Sequence, residues 1–394
     1  MSLGLLARIR GERETVGIDV GHYNIKYVKV YHNSRGNKIV VDADVEPVPE
    51  GAIVNGEIQR HESAGNADGD AQAAAPAPEA AGSSKKTKDG YDLLSEAFAK
   101  LLLRHPIDDA VDVVASVNSG AGTGGILMDR LSVKVPKNGN EAAIILQTAQ
   151  SRPPFDDQDN VIDFEVYSRE KDDVKANIVA AKNNVLDAWA QFFAMKRVRL
   201  SALDVDIFGL VNSYTATVTA EEMGKAVAIV SIGEKKMSMA FLLDGAFHSM
   251  RAMTGGSLDL VEARLMSTLG IDAAKCHEIF EKGDLSIVDG FSEAEVEEQL
   301  KGAFEDLVSQ IEFGIRYYSA SEDSVDLNKI LLGGGGASIP GLRAYIAERL
   351  GVETETVNPF RYVECDAKVF GENGISLNLS NIYAPALGLA MRKF

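Results

Sequence analysis

The sequence predicts an α/β protein made of two related halves that face each other across a ligand cleft. Three observations lead there. Strand-like and helix-like segments are mixed along the whole chain, one glycine-turn hairpin pattern occurs twice, and glycine clusters mark strand ends and helix starts. At 394 residues the chain is long enough for two or more domains, and 45% hydrophobic content fits a sizeable core.

The first element is TVGIDVGHYNIKYVKV, residues 15–30: an apolar strand ends in Asp19, turns at Gly21 and resumes as a second strand containing Lys26. GAIVNGEI (51–58) precedes a segment, 61–90, rich in Ala, Gly, Pro and Ser and without a large apolar residue. Such a segment cannot bury enough surface to offset its ordering entropy, so it is expected to be a disordered loop insertion, with Lys85, Lys86 and Lys88 as a solvated cluster. A helix over 91–104, a strand over 111–117 and a helix over 140–150 follow. SRPPFDDQ (151–158) then uses two prolines to end that helix and is expected to expose an aromatic and two acids. Strands over 161–167 and 174–181 read as a pair, and the helix 184–195 carries Leu186, Trp189, Phe192 and Phe193 at core spacing.

The second hairpin comprises strands 227–231 and 237–243. Laid over the first, it places Ser231 where Asp19 stands and Gly233 where Gly21 stands. Helices are predicted over 257–269, 273–282 and 293–321. A strand over 329–332 then runs into GGGGASIPG and a helix over 341–350.

Phosphate binding needs backbone N–H groups converging on one spot and residues without bulky side chains. The turn Gly21, His22, Tyr23, Asn24 offers such amides, Lys26 offers a positive charge, and Asp19 offers a carboxylate for a hydrated divalent cation. An ordinary hairpin with a surface lysine is the alternative. Gly255 and Gly256 precede a helix whose N-terminus attracts anions. Gly333, Gly334, Gly335, Gly336 and Ala337 follow a strand; four successive glycines read as too flexible for packing and as open to a flat adenosine or a phosphate.

Composition narrows the classes further. A net charge of −18 argues against general nucleic-acid binding and against adsorption to anionic lipid. No apolar run reaches the roughly 20 residues of a membrane span, and no signal peptide is visible. Two distant cysteines fit a reducing compartment, and six scattered histidines show no metal-ligand spacing. The basic amphipathic LGLLARIR near the start is too short to anchor to a membrane and reads as a frayed terminus.

IDVGHYNIK and IVSIGEKKMSM resemble the two phosphate motifs of the actin-like ATPase superfamily, and ILLGGGGASIPGL resembles its adenosine motif. Together with PEGAIVNGEI, AAIILQTAQSRPPFDDQDNVIDFEVYS, LSALDVDIFGLVNSY and the NPF ending near 360, they resemble the PilM family of type IV pilus assembly proteins, relatives of the division protein FtsA. The resemblance implies a duplicated actin-like (ribonuclease H-like) α/β fold, two lobes around a nucleotide cleft, with an FtsA/PilM-type 1C subdomain. It implies an N-terminal tail (1–13), subdomain 1A over 14–119, 1C over 120–195 and a return to 1A over 196–225. Subdomain 2A spans 226–262, 2B spans 263–322, 2A resumes over 323–360, and 361–394 returns to 1A. It further implies ATP and Mg2+ as cofactors and a PilN-like membrane protein, through its N-terminal cytoplasmic tail, as partner alongside other pilus platform components. The chain itself is expected in the cytoplasm, reaching the inner membrane only through partners, with oligomerisation left open. Ending at GLAMRKF, the sequence lacks the amphipathic extension of FtsA.

The chain departs from the superfamily pattern at the second phosphate motif. Ser231 stands where an Asp is usual, and a hydroxyl anchors hydrated magnesium poorly. Glu234, Lys235 and Lys236 replace a small, hydroxyl-rich turn; the carboxylate repels a triphosphate and the lysines offset it. Cys276, His277 and Phe280 occupy the nucleoside element that relatives write Ala-Glu-x-x-Lys. No general base for water can be named from the sequence. The expected function is therefore a nucleotide-binding assembly scaffold with weak or no hydrolysis, and no catalytic residues are assigned. The alternatives are an active ATPase or sugar kinase of the same superfold and an FtsA-like filament-forming division protein.

Overall fold

Two sheets of matching construction carry the chain, as seen in a computed structural model that describes residues 12–58, 89–120, 125–253, 255–320, 324–371 and 374–392. The first contains β1 (Arg13–Val20), β2 (Asn24–His32), β3 (Lys38–Pro47), β6 (Asp112–Val117), β10 (Leu200–Val205) and β16 (Glu364–Cys365), in the order β10-β6-β1-β2-β3-β16. The second contains β11 (Val227–Ile232), β12 (Met237–Leu243), β13 (Ala246–Met253), β14 (Lys329–Gly333) and β15 (Glu353–Thr356), in the order β13-β12-β11-β14-β15. In each, an antiparallel three-strand meander continues into two parallel strands: β1 pairs parallel with β6, and β11 pairs parallel with β14. The hairpin repeat therefore extends to the whole sheet. Central strands such as β1 and β12 are apolar and buried on both faces, as strands covered by helices on each side must be.

A small third sheet, order β7-β9-β8, is built from β7 (Leu127–Lys134), β8 (Asn160–Glu170) and β9 (Asp173–Lys182), with β4 (Ile53–Val54) and β5 (Glu57–Ile58) forming a separate ribbon. The outer strand β8 alternates between half-buried and exposed positions, the mark of one solvated face. The sheet packs on α2 (Glu141–Gln150) through its own core of Leu131, Ile145, Phe155 and Ile178. Phe155 is 2% exposed, so SRPPFDDQ does not present its aromatic; the ring fills the small core while Asp156 and Asp157 face solvent.

Helix α1 (Gly90–Arg104) starts at the N-cap Asp89, and α3 (Asn183–Met195) packs on it: Phe98, Trp189, Phe192 and Phe193 are fully buried together in the first lobe's core. Helices α4 (Asp206–Thr215) and α5 (Ala220–Met223) lead into the second lobe. There α6 (Leu258–Leu269), α7 (Ala273–Lys282), α8 (Glu293–Ser319) and α9 (Leu342–Leu350) cover one face of the five-stranded sheet. Gly270, Gly283 and Gly351 end α6, α7 and α9 in the left-handed conformation that glycine adopts without cost. The short α10 (Ala367–Phe370) precedes α11 (Leu377–Ala390), which lies across β1 and β2. That contact is backbone-close: a Cβ on Gly17 of β1 would sit 1.9 Å from the Ala386 carbonyl oxygen.

The segment expected as a loop over 61–90 lies outside the described residues apart from its last two positions, as do LGLLARIR and the lysine cluster. Among the described residues no helix is long and apolar enough to cross a membrane.

Candidate functional site

The two sheets point equivalent hairpin tips at one another. In the first, the ladder ends at Val20 opposite Ile25, and the Gly21 N–H donates to the Asn24 carbonyl at 3.0 Å. In the second, it ends at Ile232 opposite Met237, and the Gly233 N–H donates to the Lys236 carbonyl at 2.9 Å. Both glycine amides are thus consumed in closing their own turns, which leaves His22 and Tyr23 at the tip of the first turn and Glu234 and Lys235 at the tip of the second. Between the tips lies a cavity of about 560 Å³.

Fourteen of the residues singled out in the sequence line this cavity: Asp19, Gly21, His22, Tyr23, Asn24, Lys26, Ser231, Gly233, Glu234, Lys236, His277, Phe280, Gly334 and Gly335. Asp19, 5% exposed, accepts from Ser116 Oγ at 2.7 Å on one oxygen and from Lys26 Nζ at 3.0 Å on the other. At the same ladder positions of the second lobe stand Ser231 and Ser238, directly paired and uncharged. Burial and the ammonium groups of Lys236, Lys235 and Lys26 push the His22 imidazole down to about 4, and its Nε2 accepts the Gly56 N–H at 3.2 Å. His22 is therefore neutral at physiological pH.

Six others are not lining residues. Lys235 turns to Asp259 at 3.2 Å, while Gly255 packs near Gln310 and Gly256 against Met237. Gly333, Gly336 and Ala337 are buried behind the site. The glycine run is a packing requirement as well as an open edge, against expectation. A Cβ at Gly333 would meet Leu210 at 2.5 Å, one at Gly334 the Ile232 oxygen at 2.7 Å, and one at Gly336 the Ile232 side chain at 2.3 Å. Gly335 alone of the four is open: its Cβ would meet only Leu258, at 4.0 Å.

A family model described as type IV pilus assembly protein PilM matches residues 85–394. The chain belongs to the PilM family. The matched span begins beyond the first hairpin, but a likeness to a solved PilM–PilN type IV pilus biogenesis complex includes it. That match has a TM-score of 0.72 at 19% identity, over 96% of this chain and 97% of that one. The expected duplicated, actin-like fold is the one observed. The chain is also similar to MreB5 of Spiroplasma citri bound to AMPPNP, with TM-score 0.49 at 11% identity over 96% of this chain and 95% of that one. For the ethanolamine utilization protein EutJ from Carboxydothermus hydrogenoformans the values are 0.47 and 12%, over 96% and 89%.

In this PilM-family chain the cleft holds a residue that sequence reasoning missed. Asp206, the first residue of α4, lines the cavity beside Asp19; its Oδ1 accepts the N–H groups of Ser119 at 3.1 Å and Ile207 at 2.7 Å. Burial, and then the charge of Asp19, raise its carboxyl to about 6. Its only sequence signal was an acid at the start of a helix, in LDVDIFGL. On the far side, burial and the neighbouring Glu262 raise the Glu234 carboxyl.

The residues present fit a nucleotide. The cavity lies within the ordinary size range of small-molecule sites, Gly335 exposes a bare backbone edge, and Lys26 and Lys236 stand on the rim. Asp19 and Asp206 provide two neighbouring carboxylates for a hard cation, whereas Ser231 brings no charge.

Proposed function

We propose that this chain is a nucleotide-binding scaffold of the type IV pilus inner-membrane assembly platform, which captures the N-terminal cytoplasmic tail of a PilN-like membrane protein. Family membership supports the pilus assignment, and the solved relative that contains PilN supports the partner. The observation that carries the reading is a second cavity, about 820 Å³, walled by the face of the three-stranded sheet and by α4. Val161, Phe164 and Val179 line it from the sheet, and Leu203, Phe208 and Val211 line it from the first lobe. Arg392 there is paired with Asp204 at 2.8 Å, Lys38 adds one positive charge, and Asp163 and Glu165 add two negative ones. An extended segment with alternating apolar and basic side chains matches this lining. In this reading the inserted 1C unit is the three-stranded sheet with α2, while α3 belongs with the first lobe's core.

ATP with Mg2+ is the proposed cofactor. Asp19 and Asp206 take the metal side, Lys26 and Lys236 the phosphate charge, and Gly334 and Gly335 the backbone edge for the nucleoside. The bound ion supplies charge neutralisation on the phosphates. Hydrolysis is weak or absent in this reading, because Ser231 brings no charge and the Asp206 carboxylate is already held by two amides. The partner tail places the protein at the cytoplasmic face of the inner membrane.

The test is a titration of the full chain with labelled ATP, with and without Mg2+, beside a titration with a fluorescent peptide copying a PilN-like N-terminal tail. Saturable binding of both is expected, with Asp19→Ala weakening Mg2+-dependent nucleotide binding at least tenfold. Failure of the peptide to bind a protein that binds ATP removes the scaffold reading.

A further inference from the structure

Side chains from the second hairpin tip and from α7 meet in space. Glu234 stands at the tip of the second turn, and His277 stands on α7. With Glu262 of α6 they place one imidazole nitrogen and two carboxylate oxygens within 4.8 Å of one another. Neither neighbouring ammonium is hydrogen-bonded to these acids: Lys235 Nζ goes to Asp259 at 3.2 Å and Lys236 Nζ to the Gly120 carbonyl at 2.9 Å. Glu262, only 12% exposed, lies 3.4 Å from His277 Nε2, and among the described residues no Lys or Arg side chain pairs with Glu234 or Glu262. Two carboxylates therefore face one imidazole.

One pair of these atoms already stands at ligand spacing. Ligand atoms on a tetrahedral ion with bonds of about 2.0–2.1 Å lie roughly 3.3 Å apart, and His277 Nε2 and Glu262 Oε2 already stand at 3.4 Å. The other imidazole nitrogen, Nδ1, is 3.1 Å from the Tyr23 hydroxyl on the opposite hairpin. Donating its proton there leaves the Nε2 lone pair facing the carboxylates, the arrangement in which an outer oxygen fixes the tautomer of a ligating histidine. The Glu234 backbone is pinned as well: its carbonyl accepts the Asp259 N–H at 3.0 Å, docking the turn on the first turn of α6.

We infer that Glu234, Glu262 and His277 bind a divalent transition-metal ion of the Zn2+ or Co2+ class at the mouth of the cleft, braced from the facing hairpin by Tyr23. One imidazole with two carboxylates selects this class over Mg2+, which prefers oxygen ligands and water. The fourth position opens toward the cavity, where water or an oxygen of a bound ligand completes the shell. The site is distinct from the hard-cation position at Asp19, and it ties the second lobe's helices to the first lobe's turn.

The experiment uses full-length protein stripped with a chelator and titrated with Co2+, followed by visible absorption, and with Zn2+, followed by calorimetry, in the absence of nucleotide. The expected result is one ion per chain, tetrahedral d–d bands and no thiolate charge-transfer band, since neither cysteine belongs to the set. Glu262→Gln and His277→Ala abolish the uptake, Tyr23→Phe keeps the stoichiometry and weakens it about tenfold, and excess Mg2+ leaves the cobalt spectrum unchanged. Lack of stoichiometric uptake by the wild type, uptake unaltered in both ligand variants, a thiolate band, or displacement by Mg2+ overturns the inference. Circular dichroism checks the fold of each variant, and Glu234→Gln replaces any variant that does not fold. Because no nucleotide is added, the outcome is independent of the ATP and peptide readings.

Discussion

Asp206 sits where a helix start, a neighbouring carboxylate and burial act on one side chain. The helix start and its two amide bonds favour the charged form, and burial with Asp19 disfavours it more strongly. A carboxyl raised from 3.8 to about 6 binds its proton more tightly in the folded than in the unfolded chain. Its ionisation therefore costs nothing below about pH 4 and the full amount above about pH 6, so the wild type loses stability as pH rises through that window. Asp206→Asn lacks this cost. By urea denaturation it is expected to be about 2–3 kcal/mol more stable than the wild type near neutral pH, with the gap closing by about pH 4. An unchanged difference across that range would show that Asp206 ionises as readily as a surface acid. Its identity as a cleft residue was not legible, because only the folding of α4 against β6 brings it beside Asp19. Asp19, Gly21 and Lys26 were legible, since turn, strand end and lysine all lie within one hairpin.

The close crossing of α4 and α11 is set by two glycines that no local pattern announces. A Cβ on Gly388 would lie 1.7 Å from the Gly209 carbonyl oxygen, and one on Gly209 would lie 2.6 Å from that of Pro385. No rotamer relieves a clash with backbone, so Gly388→Ala must separate the helices. The expected loss is about 3 kcal/mol or more, read as a lower urea midpoint with an unchanged slope, or as failure to accumulate folded protein. Most elements were legible, because strand hairpins and amphipathic helices declare themselves over a few residues: the pairs at 161–167 and 174–181 and at 227–231 and 237–243 all form. What local pattern conceals is which elements approach one another. That is why Phe155 read as exposed and why the glycine run read as an edge open to a ligand rather than as packing surface.

At the scale of the molecule, two cavities share two walls. Helix α4 offers Asp206 to the cleft and Phe208 and Val211 to the groove, while α11 offers Ile382 and Pro385 to the cleft and is followed by Met391 and Arg392 in the groove. Val179, on the sheet, belongs to the groove alone. Val179→Glu is expected to lower affinity for the PilN-like peptide at least tenfold and to leave ATP affinity within twofold, both read by titration. Loss of both together would mean that the groove variant disturbs the whole first lobe. One contact also bears on how the chain is made. Thr15 Oγ1 donates to the Ala390 carbonyl, across 375 residues of sequence. The five-stranded sheet is contiguous from Val227 to Thr356, so all its strand partners are present as soon as that stretch leaves the ribosome. The first lobe, begun earlier, stays without its covering helix until Ala390 has been synthesised. The half translated first is thus the half completed last, and part of its sheet stays uncovered meanwhile.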